Sequence, residues 1–290
     1  MKAFAGPGDV SRARIMLLCA AVLWSTGGLF IKMIDLPPLA IAGWRSAIAA
    51  LALFLFIRRP RMTWSIAQIG GSAAYAATVI LFVVSNKLTT AANAIVLQYT
   101  APVFVAVLGI FILKEKVRRT GWITIALTLC GMVLFFKDRI DSGGQLGNVL
   151  SVVSGLCIAF LIIALRYQKD GSPAETIWLG NIFTGIVCLP VMLSYMPGRA
   201  EFPPLIFLGI FQLGLAYYLY AHAVRHVPAL EAIIIPIVEP ILNPLWVFLF
   251  MGERPGLWSL AGGVVVIVSV TVYCVLTRNG GRAADDAAAN

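Results

Sequence analysis

Long apolar runs separated by short polar breaks make up most of the chain between residues 15 and 276. A membrane-spanning helix needs about 20 predominantly apolar residues. Windows of this kind predict ten helices, at 15–34, 38–57, 64–85, 90–113, 120–136, 146–165, 174–195, 203–224, 230–251 and 257–276. The breaks carry turn or charge signals, and the break near Lys87 is the weakest, so nine or eleven crossings stay open.

The composition agrees with a chain that lies almost entirely in a membrane. The 290 residues are 60% hydrophobic and only 12% charged, and the mean hydropathy is +0.91. A soluble domain of this length is far more polar. Because the predicted spans use nearly the whole chain, the sequence predicts an all-α integral membrane protein without a soluble domain.

The basic residues predict the orientation of these spans. Lys and Arg collect in loops on the cytoplasmic side of a membrane. With ten crossings and a cytoplasmic amino terminus, the basic loops "RRPRM" and "KEKVRR" both fall on the inner face, whereas few Lys and Arg fall on the outer face. The net charge of +9 is therefore explained by topology rather than by nucleic-acid binding. We expect a multi-pass protein of the cell inner membrane with both termini cytoplasmic.

Two stretches of the chain align with each other without a gap. "YTAPVFVAVLGIFILKE" and "IVEPILNPLWVFLFMGE" place Pro102 over Pro240 and Glu115 over Glu253. The two stretches lie five crossings apart, an odd number, so the second copy is predicted to be inverted in the membrane. The sequence thus predicts two inverted five-helix repeats around a central cavity. The predicted parts are a cytoplasmic tail at 1–14, repeats at 15–136 and 146–276, a connecting loop at 137–145 and a disordered cytoplasmic tail at 277–290.

Pro102, Pro240 and Pro244 lie inside predicted spans, in the two aligned stretches. A proline within a helix removes one backbone hydrogen bond and bends the helix, which lipid tolerates only where protein or a cavity satisfies the freed carbonyl. Inverted repeats with interrupted helices are typical of secondary transporters. We interpret the prolines as hinges or as cavity-lining residues, and a packing kink without function is the alternative.

These residues resemble the EamA-type branch of the drug/metabolite transporter superfamily. Each repeat of that family has a proline-containing fourth helix that ends in a glutamate, as in "TAPVFVAVLGIFILKE" and "VEPILNPLWVFLFMGE". "AVLWSTGGLFIK" and "PPLAIAGWR" resemble the first helix of the family and the start of its second. The resemblance covers residues 14 to 276 and implies a transporter with alternating access, most similar to the YddG-type amino-acid exporters.

Two charged residues lie deep in predicted spans. Arg45 is about 12 Å from one end of its span and Glu239 about 13 Å from one end of its own. Charges at this depth are costly and usually functional. Arg45 either holds a substrate carboxylate or bonds to helix-end carbonyls. Glu239 either binds an ammonium or proton, or bonds to a backbone group that a neighbouring proline has opened.

Aromatic and amide side chains supply the rest of a predicted substrate pocket, because buried Tyr and Trp combine an apolar ring with a polar group that needs a partner. Core packing is the alternative for each ring alone. The predicted substrate-binding residues, besides Arg45 and Glu239, are Trp24, Tyr75, Phe82, Gln98, Tyr99, Tyr217, Tyr220, Asn243 and Trp246. Glu115 and Glu253 follow the ends of their spans among basic residues and are predicted to form ion pairs there.

The sequence therefore predicts an exporter of small metabolites, most favourably amino acids including aromatic ones. The alternatives are a broad-specificity drug/metabolite exporter, a channel-like facilitator and an intramembrane enzyme. A channel lacks support because the chain has no carbonyl filter motif, and an enzyme lacks support because it has no HExxH or phosphate-loop motif. We expect no catalytic residue, metal or cofactor. The expected partners are a small-molecule substrate and the lipid bilayer, without nucleic acid; a monomer is consistent with the sequence, which leaves the oligomeric state open.

Overall fold

The structure is a computed structural model and describes residues 7–89, 91–135, 137, 144–169, 171, 173–242 and 256–289. Within these residues the chain is helical throughout and contains no β-strand. The helices are α1 Pro7–Ser25, α2 Gly27–Lys32, α3 Pro38–Ile57, α4 Ile66–Leu88, α5 Ala91–Gln98, α6 Ala101–Leu108, α7 Arg119–Phe135, α8 Gln145–Tyr167, α9 Pro173–Ser194, α10 Phe202–Phe207, α11 Ala216–Ala223, α12 Ala229–Ile234 and α13 Leu257–Ala289.

Seven helical stretches in the described part of the chain are long and apolar enough to cross a membrane. They are Pro38–Ile57, Ile66–Ser85, Asn93–Leu113, Gln145–Tyr167, Pro173–Ser194, Phe202–Ala223 and Leu260–Thr277. Of the other three predicted spans, the first is interrupted by a turn at Thr26, the fifth forms the 17-residue helix Arg119–Phe135, and the ninth lies partly outside the described residues. The fold is thus an all-helical membrane fold, and the number of ten crossings stays a prediction.

Several of the long helices change their winding near the middle of the bundle. The helix is interrupted at Tyr99–Thr100, directly before Pro102, and tightens to 3₁₀ geometry over Ile235–Val238, which contains Pro236. Wider π turns occupy Gly109–Leu113 and Leu208–Leu215. Proline explains the first two irregularities because it cannot donate a backbone hydrogen bond. Irregular turns free backbone groups and re-aim side chains, and π turns frequently lie at functional sites.

The helices pack around one large apolar core, with a second, smaller apolar cluster that contains Ile41 and Leu205. Helix α4 packs along α8 and α9, α3 packs along α9, α1 packs along α11, and α7 packs along α13. Small residues permit the close approach. A side chain at Gly43 would lie only 2.4 Å from the sulfur of Met192 and 2.8 Å from Cys188, so α3 and α9 require a glycine at their contact.

Large apolar side chains cover the outside of the bundle. Leu51 and Leu55 of α3 are each 64% exposed, and Leu193 of α9 is 69% exposed. Exposed apolar surface of this extent is unusual for a soluble monomer. In a membrane protein it contacts lipid tails, because the backbone polar groups are satisfied within the helices.

The last helix continues further than the sequence predicted. The segment 277–290 was expected to be disordered, whereas α13 runs from Leu257 to Ala289. The end of the chain, "AADDAAAN", is rich in alanine, which has the highest intrinsic helix propensity. The polar composition that suggested disorder therefore competes with a strong local preference for helix.

Candidate functional site

Four aromatic rings from three helices meet inside the bundle. The ring of Trp24, in α1, lies 4.7 Å from Tyr217 and 5.4 Å from Tyr220, both in α11. Tyr75, in α4, contacts Tyr217 edge-on at 5.0 Å. Tilted and edge-on geometries of this kind are the favourable ones for aromatic pairs. We call these four residues the aromatic cluster.

Tyr75 is the fixed member of the aromatic cluster. Its side chain is completely buried, and its hydroxyl donates a 3.1 Å hydrogen bond to Oδ1 of Asn181 in α9. A β-carbon at the neighbouring Gly180 would lie 2.7 Å from the Tyr75 ring, so the glycine makes room for it. Asn181 in turn donates to the carbonyl of Ile177 at 3.0 Å. The orientation of Tyr75 is therefore set by α9.

Arg45 lies beside the aromatic cluster on α3. Only 7% of the residue is exposed, and it interacts electrostatically with Tyr75 and Tyr217. Its Nε has no hydrogen-bond partner in the described part of the chain. A buried guanidinium without a partner is costly, and its five N–H donors suit a carboxylate. The helix-end carbonyls expected under the structural alternative are not among the contacts of Arg45 in the described residues.

Glu239 interacts with two of the tyrosines near the site. The hydroxyl of Tyr99 donates a 3.1 Å hydrogen bond to Oε2 of Glu239. Tyr99 is the residue at which the helix is interrupted before Pro102. Tyr217 also interacts electrostatically with both Glu239 and Arg45. The site thus presents a cation and an anion, with the Tyr217 hydroxyl near both.

Three further polar atoms near the aromatic cluster lack partners among the described residues. They are Nε1 of Trp24, the hydroxyl of Tyr220 and Oε1 of Gln212. Tyr220 is 3% exposed and Gln212 is 8% exposed. Buried polar groups are usually hydrogen-bonded, so unpaired ones call for an explanation such as a ligand or water. The site therefore offers free donors and a free acceptor, besides the two charged side chains.

The remaining predicted residues are placed as follows. Gln98 donates to Oγ of Ser154 at 2.8 Å, and Ser154 donates to the carbonyl of Thr78 at 3.1 Å, so Gln98 links α5, α8 and α4. Phe82 lies half-buried two turns along α4 from Tyr75. Pro102 and Pro240 are buried, and Glu115 pairs with Arg166. Asn243, Pro244, Trp246 and Glu253 lie outside the described residues.

Sequence reasoning did not select Asn181 as a site residue, although the structure places it at the site, where it orients Tyr75. Asn181 is a polar residue in the middle of an apolar span, which is the signal that could have found it. In the described part of the chain no three His, Cys, Asp or Glu side chains come together as metal ligands would.

Known proteins with similar sequences are transporters. The chain is 24% identical over 281 residues to the uncharacterized transporter YwfM of Bacillus subtilis (strain 168), covering 91% of this chain and 94% of that protein. It is 23% identical over 242 residues to the pseudopaline exporter CntI of Pseudomonas aeruginosa (strain UCBPP-PA14), covering 81% and 85% respectively.

The chain resembles a solved structure in its fold, and its sequence matches a family of transporters. A crystal structure with 16% sequence identity superimposes with a TM-score of 0.80, over 92% of this chain and 98% of the other. The EamA-like transporter family matches the chain twice, over residues 11–137 and 145–275. The protein is a membrane transporter rather than an enzyme, and it belongs to the EamA-like transporter family.

Proposed function

We propose that the protein exports small zwitterionic metabolites, most favourably amino acids including aromatic ones, by alternating access. The observation that carries this proposal is the pair of opposite charges at the aromatic cluster. Arg45 is buried with its Nε unpaired, and the Glu239 carboxylate accepts a hydrogen bond from Tyr99. An amino acid carries the two complementary charges on adjacent groups, so it can satisfy both side chains at once.

Each part of such a substrate has a candidate contact. The substrate carboxylate would bind the guanidinium of Arg45, because planar N–H donors match carboxylate oxygens. The substrate ammonium would bind Glu239, where a cation can also lie against a tyrosine ring. An apolar or aromatic side chain would pack on Trp24 and Tyr217. The pocket therefore favours a substrate with a charged head and an apolar body.

The inverted repeat is part of this proposal. The double match to one family supports two related halves. The packing supports a two-fold relation between the two halves. The contact between α4 and α8 corresponds to the contact between α11 and α1, and α7 packs against α13, its counterpart in the other half. We place both termini in the cytoplasm at the inner membrane. Thiol labelling of single cysteines introduced at positions 116 and 254 tests the inversion. If a membrane-impermeant reagent labels both positions from the same side of the membrane, the second repeat is not inverted.

A broad-specificity exporter is the second candidate function. The relative from Pseudomonas aeruginosa is named an exporter of pseudopaline, so relatives at this distance are not confined to single amino acids by name. An aromatic cluster also binds many apolar groups, because ring contacts are less selective than hydrogen bonds. In this case Arg45 and Glu239 would select substrates by their charged groups, and the identity of the substrate's side chain would have little effect on transport.

The test is counterflow in liposomes that contain the purified protein. Liposomes preloaded with unlabelled tryptophan should accumulate labelled tryptophan with saturation, whereas protein-free liposomes should not. A matched control is Arg118→Gln, which changes an exposed arginine outside the site. Flux that rises linearly with concentration would argue for a channel. Equal exchange of unrelated charged metabolites would favour the broad-specificity exporter.

A further inference from the structure

Two ion pairs lie at one end of the bundle, away from the aromatic cluster. Nε of Arg14, in α1, bonds to Oε1 of Glu231, in the first turn of α12. Nε of Arg166, in the last turn of α8, donates to Oε1 of Glu115 over 2.8 Å. We call the part of the bundle that carries these four residues the ion-pair end. Each pair joins one half of the chain to the other.

The same side chains tie further helices to the ion-pair end. Arg14 donates to the carbonyl of Cys274 at 3.0 Å and to the hydroxyl of Thr277 at 2.9 Å, both in α13. The second oxygen of Glu115 accepts the backbone N–H of Ala229, the first residue of α12, at 2.9 Å. Helix α12 is therefore held at its start by Arg14 through Glu231 and by Glu115 through its backbone.

Arg166 also binds the end of α11. Its Nη1 donates to the carbonyls of Val224 at 3.0 Å and Arg225 at 2.8 Å. Carbonyls at a helix carboxyl end carry partial negative charge, which a cation stabilises. Because α11 contributes Tyr217 and Tyr220, the ion-pair end is connected mechanically to the aromatic cluster.

Apolar side chains fill the space between the ion-pair end and the site. Leu17 and Ile234, one turn further in than Arg14 and Glu231, are completely buried. Ile162, one turn further in than Arg166, is 2% exposed. Helix geometry puts Trp24 about 15 Å from Arg14. Water does not reach these three side chains, and apolar packing of this kind leaves few voids larger than a water molecule, as expected of a bundle that is closed on this side of the site.

We propose that the Arg14–Glu231 and Glu115–Arg166 pairs form a gate that closes the ion-pair end in the conformation described, and that both pairs break when the site opens toward that end. The inference rests on the proposed alternating access, since a single site must be sealed on one side while the other is open. The pairs suit this role because they are 3% to 26% exposed, and part-buried charges can exchange a partner for water when helices separate.

The experiment measures access to the closed side directly and does not depend on transport. A variant without the native cysteines carries a single reporter, Leu17→Cys, and reacts with a membrane-impermeant maleimide in inverted vesicles and in right-side-out spheroplasts. With both pairs intact we expect slow labelling from the ion-pair end. Glu115→Gln combined with Glu231→Gln should raise the labelling rate from that end by about tenfold or more, because a small change in conformational free energy shifts a two-state population strongly.

Controls separate gating from loss of structure and from loss of function. Arg118→Gln, an exposed charge at the same end, should leave labelling unchanged, and Arg14→Lys, which keeps a cation, should label more slowly than Arg14→Gln. A second reporter, Ile162→Cys, checks the Arg166 side. Fast labelling together with a changed elution volume in size-exclusion chromatography would mean that the double variant has unfolded. In that case the labelling rates of the single variants Glu115→Gln and Glu231→Gln test the gate. Slow labelling in the folded double variant overturns the gate, whereas absent tryptophan flux with the expected labelling overturns only the proposed cargo.

Discussion

Replacing Arg45 with methionine should stabilise the protein and at the same time abolish binding of carboxylated substrates. Arg45 is 7% exposed and its Nε has no partner among the described residues. Methionine has a similar length and no charge, so the substitution removes the cost of burying the cation while keeping much of the packing. Replacing an arginine that stabilises the fold should instead lower the stability of the protein, because the substitution removes hydrogen bonds or an ion pair.

The size of both effects can be estimated. Replacing buried ionic groups with apolar residues is often stabilising by about 1–4 kcal/mol. About 2 °C of melting temperature corresponds to each kcal/mol in a chain of this size, so we expect a rise of about 2–8 °C. Truncating one partner of a buried charge pair costs about 2–5 kcal/mol of binding. Affinity for a carboxylated substrate should therefore fall at least about thirtyfold.

The assay compares melting temperatures in detergent and substrate binding for two variants. Arg166→Met is the matched control, because Arg166 bonds to Glu115 and to the carbonyls of Val224 and Arg225. It should lower the melting temperature by a similar amount. Tryptamine, which lacks the carboxylate, should bind Arg45→Met and the unchanged protein alike. A lower melting temperature for Arg45→Met would refute the reasoning, since it would show that Arg45 supports the fold.

Two further predictions concern the walls of the site. Gly180→Ala puts a β-carbon 2.7 Å from the buried Tyr75 ring, so it should destabilise the protein by about 1–3 kcal/mol and reduce tryptophan flux. A β-carbon at Gly185, in the same helix, meets no atom within 4 Å, so Gly185→Ala should be neutral or slightly stabilising in the same melting assay. An equal loss of stability in both variants would contradict the packing explanation. Glu239→Gln keeps an oxygen acceptor for the Tyr99 hydroxyl, so folding should be preserved while the pH dependence of flux in liposomes changes. An unchanged pH profile would exclude a proton role for Glu239.

Much of the helical layout could be predicted from the sequence because apolar span length is a strong signal. The window predicted at 38–57 coincides with α3, and that at 174–195 differs from α9 by one residue at each end. The breaks within helices were harder to locate. Pro102 pointed to an irregularity, yet the interruption lies at Tyr99–Thr100. A proline affects the carbonyl about one turn before it, so the position of the break depends on which neighbour satisfies that carbonyl.

The contacts of polar residues could not be predicted, since they depend on packing between distant helices. The carboxylate of Glu231, in the first turn of its own helix, binds Arg14, more than 200 positions earlier in the chain. The amide of Gln98, a predicted pocket residue, bonds to Ser154 in another helix. A single sequence indicates how deep in the membrane a polar residue lies, but it does not identify the residue to which its side chain bonds.

The two halves of the site differ in a way that fits the physics of one shared cavity. Asn181 lies as far into its predicted span, 174–195, as Arg45 does into 38–57, and α3 and α9 pack together. Two arginines at these positions would put like charges into one low-dielectric space, which is strongly unfavourable. An amide at the second position avoids this repulsion, and it orients Tyr75 beside Arg45 through a 3.1 Å hydrogen bond. Under the proposed alternating access, the single buried cation Arg45 would meet the carboxylate end of a substrate from either side of the membrane, without a second cation in the other half of the chain.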